Sequence, residues 1–329
     1  MTPSILKVEN LKKYFTVRRS SFGKNAIFVR AVDGISFDLR SGETLGLLGE
    51  SGCGKSTIGR LLTRLEEPSS GKIVLLDNDI SHISQKQMAR HRQKIQMVFQ
   101  DSVSSLNPRM SVKRLISEPF LIHKLASRSQ IESKVLKLVR SVGLNPEVLE
   151  KFPHELSGGQ CQRVSIARAL AVEPEIIIAD EAVSALDVSV RAQVINLMLN
   201  LQKEFNLSYI FISHDVAVVS LISHRIAVMY LGEFVEIGTK QKLIAAPRHP
   251  YTMALINSSP IPDPDHAHTK RNLPQGELPS PISPPTGCRF HPRCQFAEDR
   301  CIVDSPKLRE LELGIYVACH FAEKISKRR

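Results

Sequence analysis

The stretch TLGLLGESGCGKSTIGRLLTR, residues 44–64, decides the fold class of this chain. Its apolar start, Thr44–Leu48, predicts a buried strand, and the apolar spacing after Lys55 predicts a helix. The turn from Gly49 to Ser56 matches G-x-x-x-x-G-K-[ST], in which glycines let backbone N–H groups surround a phosphate. In such a turn the lysine reaches the β- and γ-phosphates, and the hydroxyl of the next residue binds Mg²⁺. A strand, this turn and a helix in succession predict a nucleotide-binding α/β domain.

The size and charge of the chain allow several classes of partner. Its 329 residues have room for a large α/β domain and a smaller appendage, and its net charge is +11. Such a charge is compatible with nucleic acid, anionic lipid or nucleotide, but Lys and Arg are spread along the whole chain. No apolar stretch approaches the roughly 18 residues that a membrane-spanning helix needs, and the N-terminus lacks the apolar core of a secretion signal. We therefore expect a cytosolic protein that reaches a membrane only through a partner.

Three further predicted strands are each followed directly by polar side chains. The residues concerned are Gln100 after Ile95–Phe99, Asp180 and Glu181 after Glu175–Ala179, and His214 after Ser208–Ser213. In open α/β sheets, ligands bind at the carboxyl ends of the strands. These four side chains are therefore expected beside the phosphate-binding turn, where two adjacent carboxylates suit a metal ion and an activated water.

A second glycine turn, LSGGQ at residues 156–160, opens another predicted helix. Its small residues Ser157, Gly158 and Gly159 leave the helix N-terminus accessible, and such an N-terminus can face a phosphate. The interval 101–155 before it carries no strand pattern. It predicts a compact helical insertion, a subdomain covering about residues 101–156.

The last part of the chain differs in composition. Prolines accumulate from Pro247 onward, which predicts a Pro-rich linker over 247–286 and a small Cys-rich module over 287–329. The cysteines of this module have the spacing C-x5-C-x6-C-x17-C and are Cys288, Cys294, Cys301 and Cys319. In a reducing compartment such a cluster favours metal over disulfides. The usual C-x2–4-C pair of zinc sites is absent, so an iron–sulfur cluster suits these thiols better, with zinc and no metal as alternatives.

Taken in order, these motifs resemble those of ATP-binding cassette (ABC) ATPases over roughly the first 245 residues. The resemblance implies an ABC domain over 1–246 with a mixed sheet core, an antiparallel β subdomain and the helical subdomain. Longer stretches are similar to the ATP-binding subunits of dipeptide and oligopeptide permeases, of the DppF/OppF type. These stretches are GESGCGKST, QMVFQDSVSSLNPRM, ADEAVSALDVSVRAQV, YLGEFVEIGTK, APRHPYTMALINSSP and GELPSPISPP.

The resemblance also implies a role for each site residue. Glu181 is expected to be the general base, His214 to contact the γ-phosphate, and Gln100 to sense Mg²⁺ and water. Asp180 and Ser56 are expected to hold Mg²⁺, with Gln100 as a further ligand, and Tyr14 to stack on the adenine. The phosphate-binding turn comprises Gly49, Glu50, Ser51, Gly52, Cys53, Gly54, Lys55, Ser56 and Thr57.

In this family the LSGGQ turn completes the ATP site of a second subunit. The resemblance therefore implies a head-to-tail dimer with a related ATPase, in which Ser157, Gly158, Gly159 and Gln160 face the partner's nucleotide and Asp187 lies at the junction. Similar subunits carry a [4Fe–4S] cluster on the four C-terminal cysteines. Ala182 and Cys161 depart from the proline and arginine usual at these positions. Neither departure removes a reacting group.

The implied function is ATP hydrolysis that drives peptide import. The implied partners are two transmembrane permease subunits and an extracytoplasmic substrate-binding protein, without nucleic acid, at the cytoplasmic face of the inner membrane. Import of nickel or another small solute is an alternative. A DNA-maintenance ATPase is a second alternative, but the short interval 101–155 lacks the long coiled coil or zinc insert of that class. A translation-type ATPase would carry two cassettes, and this chain has one set of motifs.

Overall fold

The computed structural model describes residues 3–18, 27–258 and 279–326. The strands are β1 (Ser4–Arg18), β2 (Ile27–Arg40), β3 (Thr44–Leu48), β4 (Ser70–Leu75), β5 (Asn78–Asp79), β6 (Ile95–Val98), β7 (Ile176–Asp180), β8 (Ser208–Ser213), β9 (Arg225–Tyr230), β10 (Glu233–Thr239), β11 (Arg309–Glu312) and β12 (Ile315–Val317). The helices are α1 (Lys55–Leu62), α2 (Gln85–Arg92), α3 (Ser102–Ser105), α4 (Val112–Ile122), α5 (Arg128–Ser141), α6 (Gly158–Leu170), α7 (Val188–Phe205), α8 (Val216–Ile222), α9 (Lys240–Ala245), α10 (Pro250–Ser258), α11 (Asp299–Val303) and α12 (Ala322–Ser326). Short 3₁₀ turns lie at Pro146–Glu150, Pro153–Glu155 and His291–Arg293.

The larger sheet carries the core. Its strand order is β11-β12-β10-β9-β3-β8-β7-β6, and the pairs from β9 to β6 are parallel. Strands β3, β7 and β8 are buried at every position, as expected for parallel strands covered on both faces. Strands β9 and β10 pair antiparallel through a tight turn at Leu231 and Gly232, which both have positive φ. The predicted mixed sheet of an ABC ATPase is therefore confirmed.

The smaller sheet is antiparallel, with the order β2-β1-β4-β5. The sequence pattern predicts two strands, 28–32 and 34–39, where the structure has the single strand β2. Gly34 explains the difference: its φ is 83°, and it lies between Asp33, which pairs with Lys12, and Ile35, which pairs with Leu11. The strand therefore continues through a bulge instead of ending.

The interval predicted to be helical forms α3, α4 and α5, followed by the two 3₁₀ turns before α6. Buried apolar side chains of α4 and α5, among them Ile116 and Val135, pack with Val164 of α6 in one core cluster. This cluster continues to Ala179 of β7. The helices therefore pack against the parallel part of the larger sheet.

The C-terminal part of the chain packs onto the same sheet. Strand β12 pairs with β10, and β11 pairs with β12. Helix α10 occupies the beginning of the range predicted as linker, and its Tyr251 and Thr252 are fully buried against the domain. Half of that predicted linker, residues 259–278, lies outside the described residues. None of the helices in the described ranges combines the length and the apolar character that crossing a membrane requires.

Candidate nucleotide-binding site

The turn after β3 is closely packed against the rest of the domain. A Cβ atom at Gly49 would lie 2.3 Å from the carbonyl oxygen of Met229, and one at Gly54 would lie 2.0 Å from that of Ala31. Gly54 also has a φ of 111°, so both the backbone conformation and the close carbonyl oxygen exclude a side chain at this position. The buried ammonium of Lys55 donates to the carbonyl oxygens of Gly49 at 2.7 Å and Glu50 at 2.9 Å. Lys55 is thus held at the mouth of the turn.

The other residues of the turn differ in accessibility. Ser51 and Gly52 are exposed, Glu50, Ser56 and Thr57 are partly buried, and Cys53 is buried. Burial raises the pKa of the Cys53 thiol although Lys55 lies beside it. Cys53 is therefore a neutral packing residue under the turn, not a ligand-facing group.

Ser56 and Asp180 form the pair predicted to hold Mg²⁺. The hydroxyl of Ser56, at the start of α1, donates to Oδ1 of Asp180 at 2.8 Å. Asp180 is the last residue of β7 and is 5% exposed, and this burial raises its pKa. Hydroxyl and carboxylate oxygens are the ligand types that Mg²⁺ prefers, so the donor set fits this ion.

Glu181 receives contacts from two neighbouring strand ends. The amide of Gln100, after β6, donates to Oε2 of Glu181 at 2.9 Å, and Nδ1 of His214, after β8, lies 3.2 Å from Oε1. Glu181 has a φ of 47°, and its N–H donates to the carbonyl of Ile212 at 3.0 Å. Since β6, β7 and β8 are parallel neighbours, their ends meet at one edge. The structure brings these predicted residues together.

The LSGGQ turn begins α6. Ser157 is the N-cap: its hydroxyl accepts the N–H of Gln160, whose side chain accepts the N–H of Ser157. A Cβ at Gly159 would lie 2.5 Å from Cγ1 of Val190, whereas one at Gly158 would be 3.8 Å from Leu186. Glycine is thus required at 159 by packing against α7. Asp187 caps α7 by accepting the N–H of Val190 at 2.9 Å.

Tyr14, predicted to stack on the adenine, lies on β1 with a partly buried ring. Its hydroxyl donates to Oδ1 of Asp33 on β2. Burial and the neighbouring Asp33 carboxylate raise the pKa of Tyr14 to about 12, so the phenol stays neutral and the ring keeps a fixed position. The guanidinium of Arg30 lies 5.9 Å from the ring centroid.

The sequence interpretation missed residues of the C-terminal segment that contact this site. Arg293 pairs with Glu50 of the phosphate-binding turn, and Arg289 pairs with Asp33 beneath Tyr14. Tyr251 of α10 accepts the N–H of Glu50 at 2.8 Å. The sequence signal for these contacts is Arg289, directly after Cys288, and Arg293, directly before Cys294. The metal interpretation of the cysteines gave these two arginines no role.

The four C-terminal cysteines line one pocket together with histidines and aromatic side chains. Its walls include His249, Cys288, Phe290, His291, Cys294, Cys301, Cys319 and His320. Burial raises the pKa of Cys288 and of Cys294 to about 11 and that of Cys319 to about 12, so these thiols are neutral as they stand. Within residues 3–18, 27–258 and 279–326, no three His, Cys, Asp or Glu side chains are arranged to hold a metal ion. The predicted [4Fe–4S] cluster is not supported by this arrangement.

Comparison with known proteins identifies the family of the chain. Residues 32–184 match the ABC transporter family, and residues 235–301 match the C-terminal region of oligopeptide/dipeptide transporters. The chain is 50% identical to the oligopeptide transport ATP-binding protein AppF of Bacillus subtilis, over 96% of this chain and 97% of AppF. It is 48% identical to the dipeptide transport ATP-binding protein DppF of Escherichia coli, over 96% and 93% of the two chains.

A solved structure has the same fold. The ATP-binding cassette MJ0796, solved as a dimer with ADP and phosphate, aligns with a TM-score of 0.64 and 26% identity, over 71% of this chain and 98% of that one. The near-complete coverage by the two curated relatives includes the C-terminal segment as well as the cassette. The chain therefore belongs to the ATP-binding subunits of oligopeptide/dipeptide ABC transporters, and its activity is ATP hydrolysis.

Proposed function

We propose that this subunit powers peptide import through an ATP site built on the carboxyl edge of its parallel strands. The observation that carries the proposal is the convergence on Glu181 of Gln100 and His214, one strand away on either side, at 2.9 and 3.2 Å. Beside it, Ser56 and Asp180 form an oxygen pair at 2.8 Å. A carboxylate held by two neighbours and flanked by a magnesium-type donor set suits in-line attack of water on a phosphoryl group.

Each residue then has a defined task in hydrolysis. Glu181 accepts the proton of the attacking water, and Gln100 and His214 hold its carboxylate in the orientation that this transfer needs. Lys55 exchanges its carbonyl partners for the β- and γ-phosphates, where its charge stabilises the transition state. Ser56, Asp180 and Gln100 would hold Mg²⁺, which neutralises phosphate charge when bound. Tyr14 offers its ring to the adenine.

The LSGGQ turn supports a head-to-tail dimer. Ser157 and Gln160 hydrogen-bond to each other and cap the helix. Gly158 and Gly159 keep the start of α6 free of side chains, so its N-terminus can bind a phosphate group of the nucleotide held by another subunit. Asp187, which caps α7 beside this turn, would lie at the junction. We propose that the partner is a related ATPase subunit and that the dimer sits beneath two permease subunits at the cytoplasmic face of the inner membrane. A substrate-binding protein would deliver the peptide from outside.

Reconstitution of the transporter tests this function. The chain would be combined with its neighbouring ATPase and permease subunits in liposomes, and uptake of labelled di- and oligopeptides would be followed with the binding protein present. We expect ATP-dependent uptake that Lys55→Ala abolishes. Lys203→Ala, which changes a lysine on α7, is the matched control and should transport normally. Uptake of nickel but not peptide, or uptake that survives Lys55→Ala, would contradict the proposal.

We further propose the domain organisation 1–246 for the ATPase, with its helical part at about 101–156, 247–286 for the connection and 287–329 for a Cys-rich module that binds a [4Fe–4S] cluster. The proposal rests on the identity of the side chains and not on a preformed metal site: Cys288, Cys294, Cys301 and Cys319 line the same pocket. Binding requires thiolates, and a bound cluster would lower their raised pKa values.

Metal analysis after anaerobic purification tests the cluster. We expect iron and acid-labile sulfide in equal amounts, and loss of both in Cys288→Ser. Cys161→Ser is the control, because Cys161 is buried in α6 outside this pocket. Stoichiometric zinc, or a colourless protein without metal, would refute the iron–sulfur assignment.

A further inference from the structure

The phosphate-binding turn is held by an arginine from the far end of the chain. Arg293 forms a two-pronged ion pair with Glu50: Nη1 lies 2.9 Å from Oε2, and Nη2 lies 3.1 Å from Oε1. The Arg293 side chain is 10% exposed and that of Glu50 28% exposed. Paired, planar contacts of this kind combine strength with a defined orientation. Glu50 directly follows Gly49, so the ion pair acts on the turn itself.

The neighbouring Arg289 contacts the adenine side of the same site. Its guanidinium donates to Oδ2 of Asp33 and to the carbonyl of Leu231, and it lies 2.9 Å from Oε1 of Glu233. Asp33 in turn accepts the hydroxyl of Tyr14. The segment Cys288–Cys294 thus reaches both ends of the nucleotide site, with Arg289 toward Tyr14 and Arg293 toward the phosphates.

Aromatic packing fixes this segment against the domain. The ring of Phe290, between the two arginines, lies 5.3 Å from that of Tyr230 and 5.4 Å from that of Tyr251. Tyr251 also accepts the N–H of Glu50. The packing of Phe290 on these two tyrosines therefore fixes the backbone that carries Arg293, whose own side chain is largely buried.

The charge of Glu50 makes this support necessary. A carboxylate in a turn that binds a polyphosphate repels the nucleotide, and partial burial strengthens that repulsion. Arg293 neutralises Glu50 and directs its carboxylate toward the C-terminal segment. We propose that Arg293 is a positioning residue for ATP binding in its own subunit: by pairing with Glu50 it removes the repulsion and fixes the turn. This inference rests on the ATP site proposed above.

The ATP affinity of the full-length chain tests the inference, measured with a fluorescent ATP analogue in the presence of Mg²⁺. Arg293→Met should raise Kd about tenfold, because residues that act on a site through a neighbour typically change its affinity by that order. The double variant Glu50→Gln/Arg293→Met should restore Kd to within about threefold of wild type, because Glu50→Gln removes the unpaired carboxylate. Arg309→Met is the control, since Arg309 on β11 also forms an ion pair, with Glu323 at 2.7 Å, but lies outside the segment Cys288–Cys294.

A purely structural role predicts a different pattern. It would make the double variant as weak as Arg293→Met or weaker, and this outcome would overturn the inference, as would a Kd for Arg293→Met within twofold of wild type. If Arg293→Met does not fold, Glu50→Gln alone decides: it should bind ATP as well as wild type or better, and a tenfold loss contradicts the proposal. In the assembled transporter Arg293→Met should raise KM for ATP and leave kcat unchanged. Failure of the ATP site itself is recognised separately, because Lys55→Ala would then leave binding of the analogue unaffected.

Discussion

The amide of Gln100 donates a hydrogen bond of 2.9 Å to the carboxylate of Glu181 and thereby joins the ends of two neighbouring parallel strands. This hydrogen bond joins two residues that are 81 positions apart in the chain. In the ATP site proposed above, this contact with Glu181 is the means by which Gln100 would report on the bound nucleotide.

Glu181→Gln should retain ATP binding and lower the rate of hydrolysis by about 10²–10³-fold, because an amide of the same shape cannot accept the proton of the attacking water. Phosphate release by the assembled transporter and binding of a fluorescent ATP analogue measure the two effects. Glu175→Gln is the control and should hydrolyse ATP normally. Glu175 directly precedes β7, at the end opposite Glu181, and pairs with Lys94 at 3.0 Å. A rate for Glu181→Gln within tenfold of wild type would remove Glu181 from the role of base.

Ser56→Ala should raise the Mg²⁺ concentration needed for half-maximal ATPase activity about tenfold, since one oxygen of the Ser56–Asp180 pair is lost. Nucleotide binding measured in excess EDTA should not change. The control Ser133→Ala removes a hydroxyl on α5 that bonds within its own helix, to the carbonyl of Gln130. An unchanged Mg²⁺ dependence for Ser56→Ala would show that this hydroxyl is not a ligand.

Gly159→Ala should lower the free energy of unfolding by about 1–2 kcal/mol, because the added methyl group would lie 2.5 Å from Val190. Urea unfolding followed by circular dichroism measures this change. Gly158→Ala is the matched control, since its methyl group meets Leu186 at an ordinary 3.8 Å. Adding Val190→Ala should restore the stability of Gly159→Ala. Equal destabilisation by both glycine substitutions would refute the packing argument.

Glu236 should make stability fall as the pH rises from about 4.5 to 7. It is fully buried on β10 and accepts the N–H groups of Arg248 and His249, and burial raises its pKa from 4.5 to about 7. Between these values the folded chain holds a proton that the unfolded chain has released, so the stabilisation is complete below pH 4.5 and is lost as the pH passes 7.

The comparison with Glu236→Gln isolates this effect. The stability of wild type relative to the variant should decrease by about 3 kcal/mol across the interval and stay constant above it. Buried His249, whose burial lowers its pKa to about 3, is present in both proteins and cancels in the difference. Urea unfolding at a series of pH values measures the difference. A flat difference would show that Glu236 is ionised throughout.

The local motifs allowed much of the site to be predicted. The phosphate-binding turn, the polar residues after the strands and the LSGGQ turn depend on backbone geometry at a few consecutive residues, so their residue types are readable directly. Helix α10 and the continuous strand β2 were not predictable, because the burial of Tyr251 and the bulge at Gly34 depend on partners distant in sequence.

By itself, the sequence determined the nucleotide-binding fold, the order of the strand ends and the family, since short spacings encode the turns that hold phosphates. Only the tertiary structure decided how the C-terminal segment serves the site. Arg293 and Glu50 are 243 positions apart, and Arg289 and Asp33 are 256 positions apart. An ion pair over such distances depends on the packing of Phe290 against Tyr230 and Tyr251 and on the pairing of β12 with β10, which no local pattern specifies.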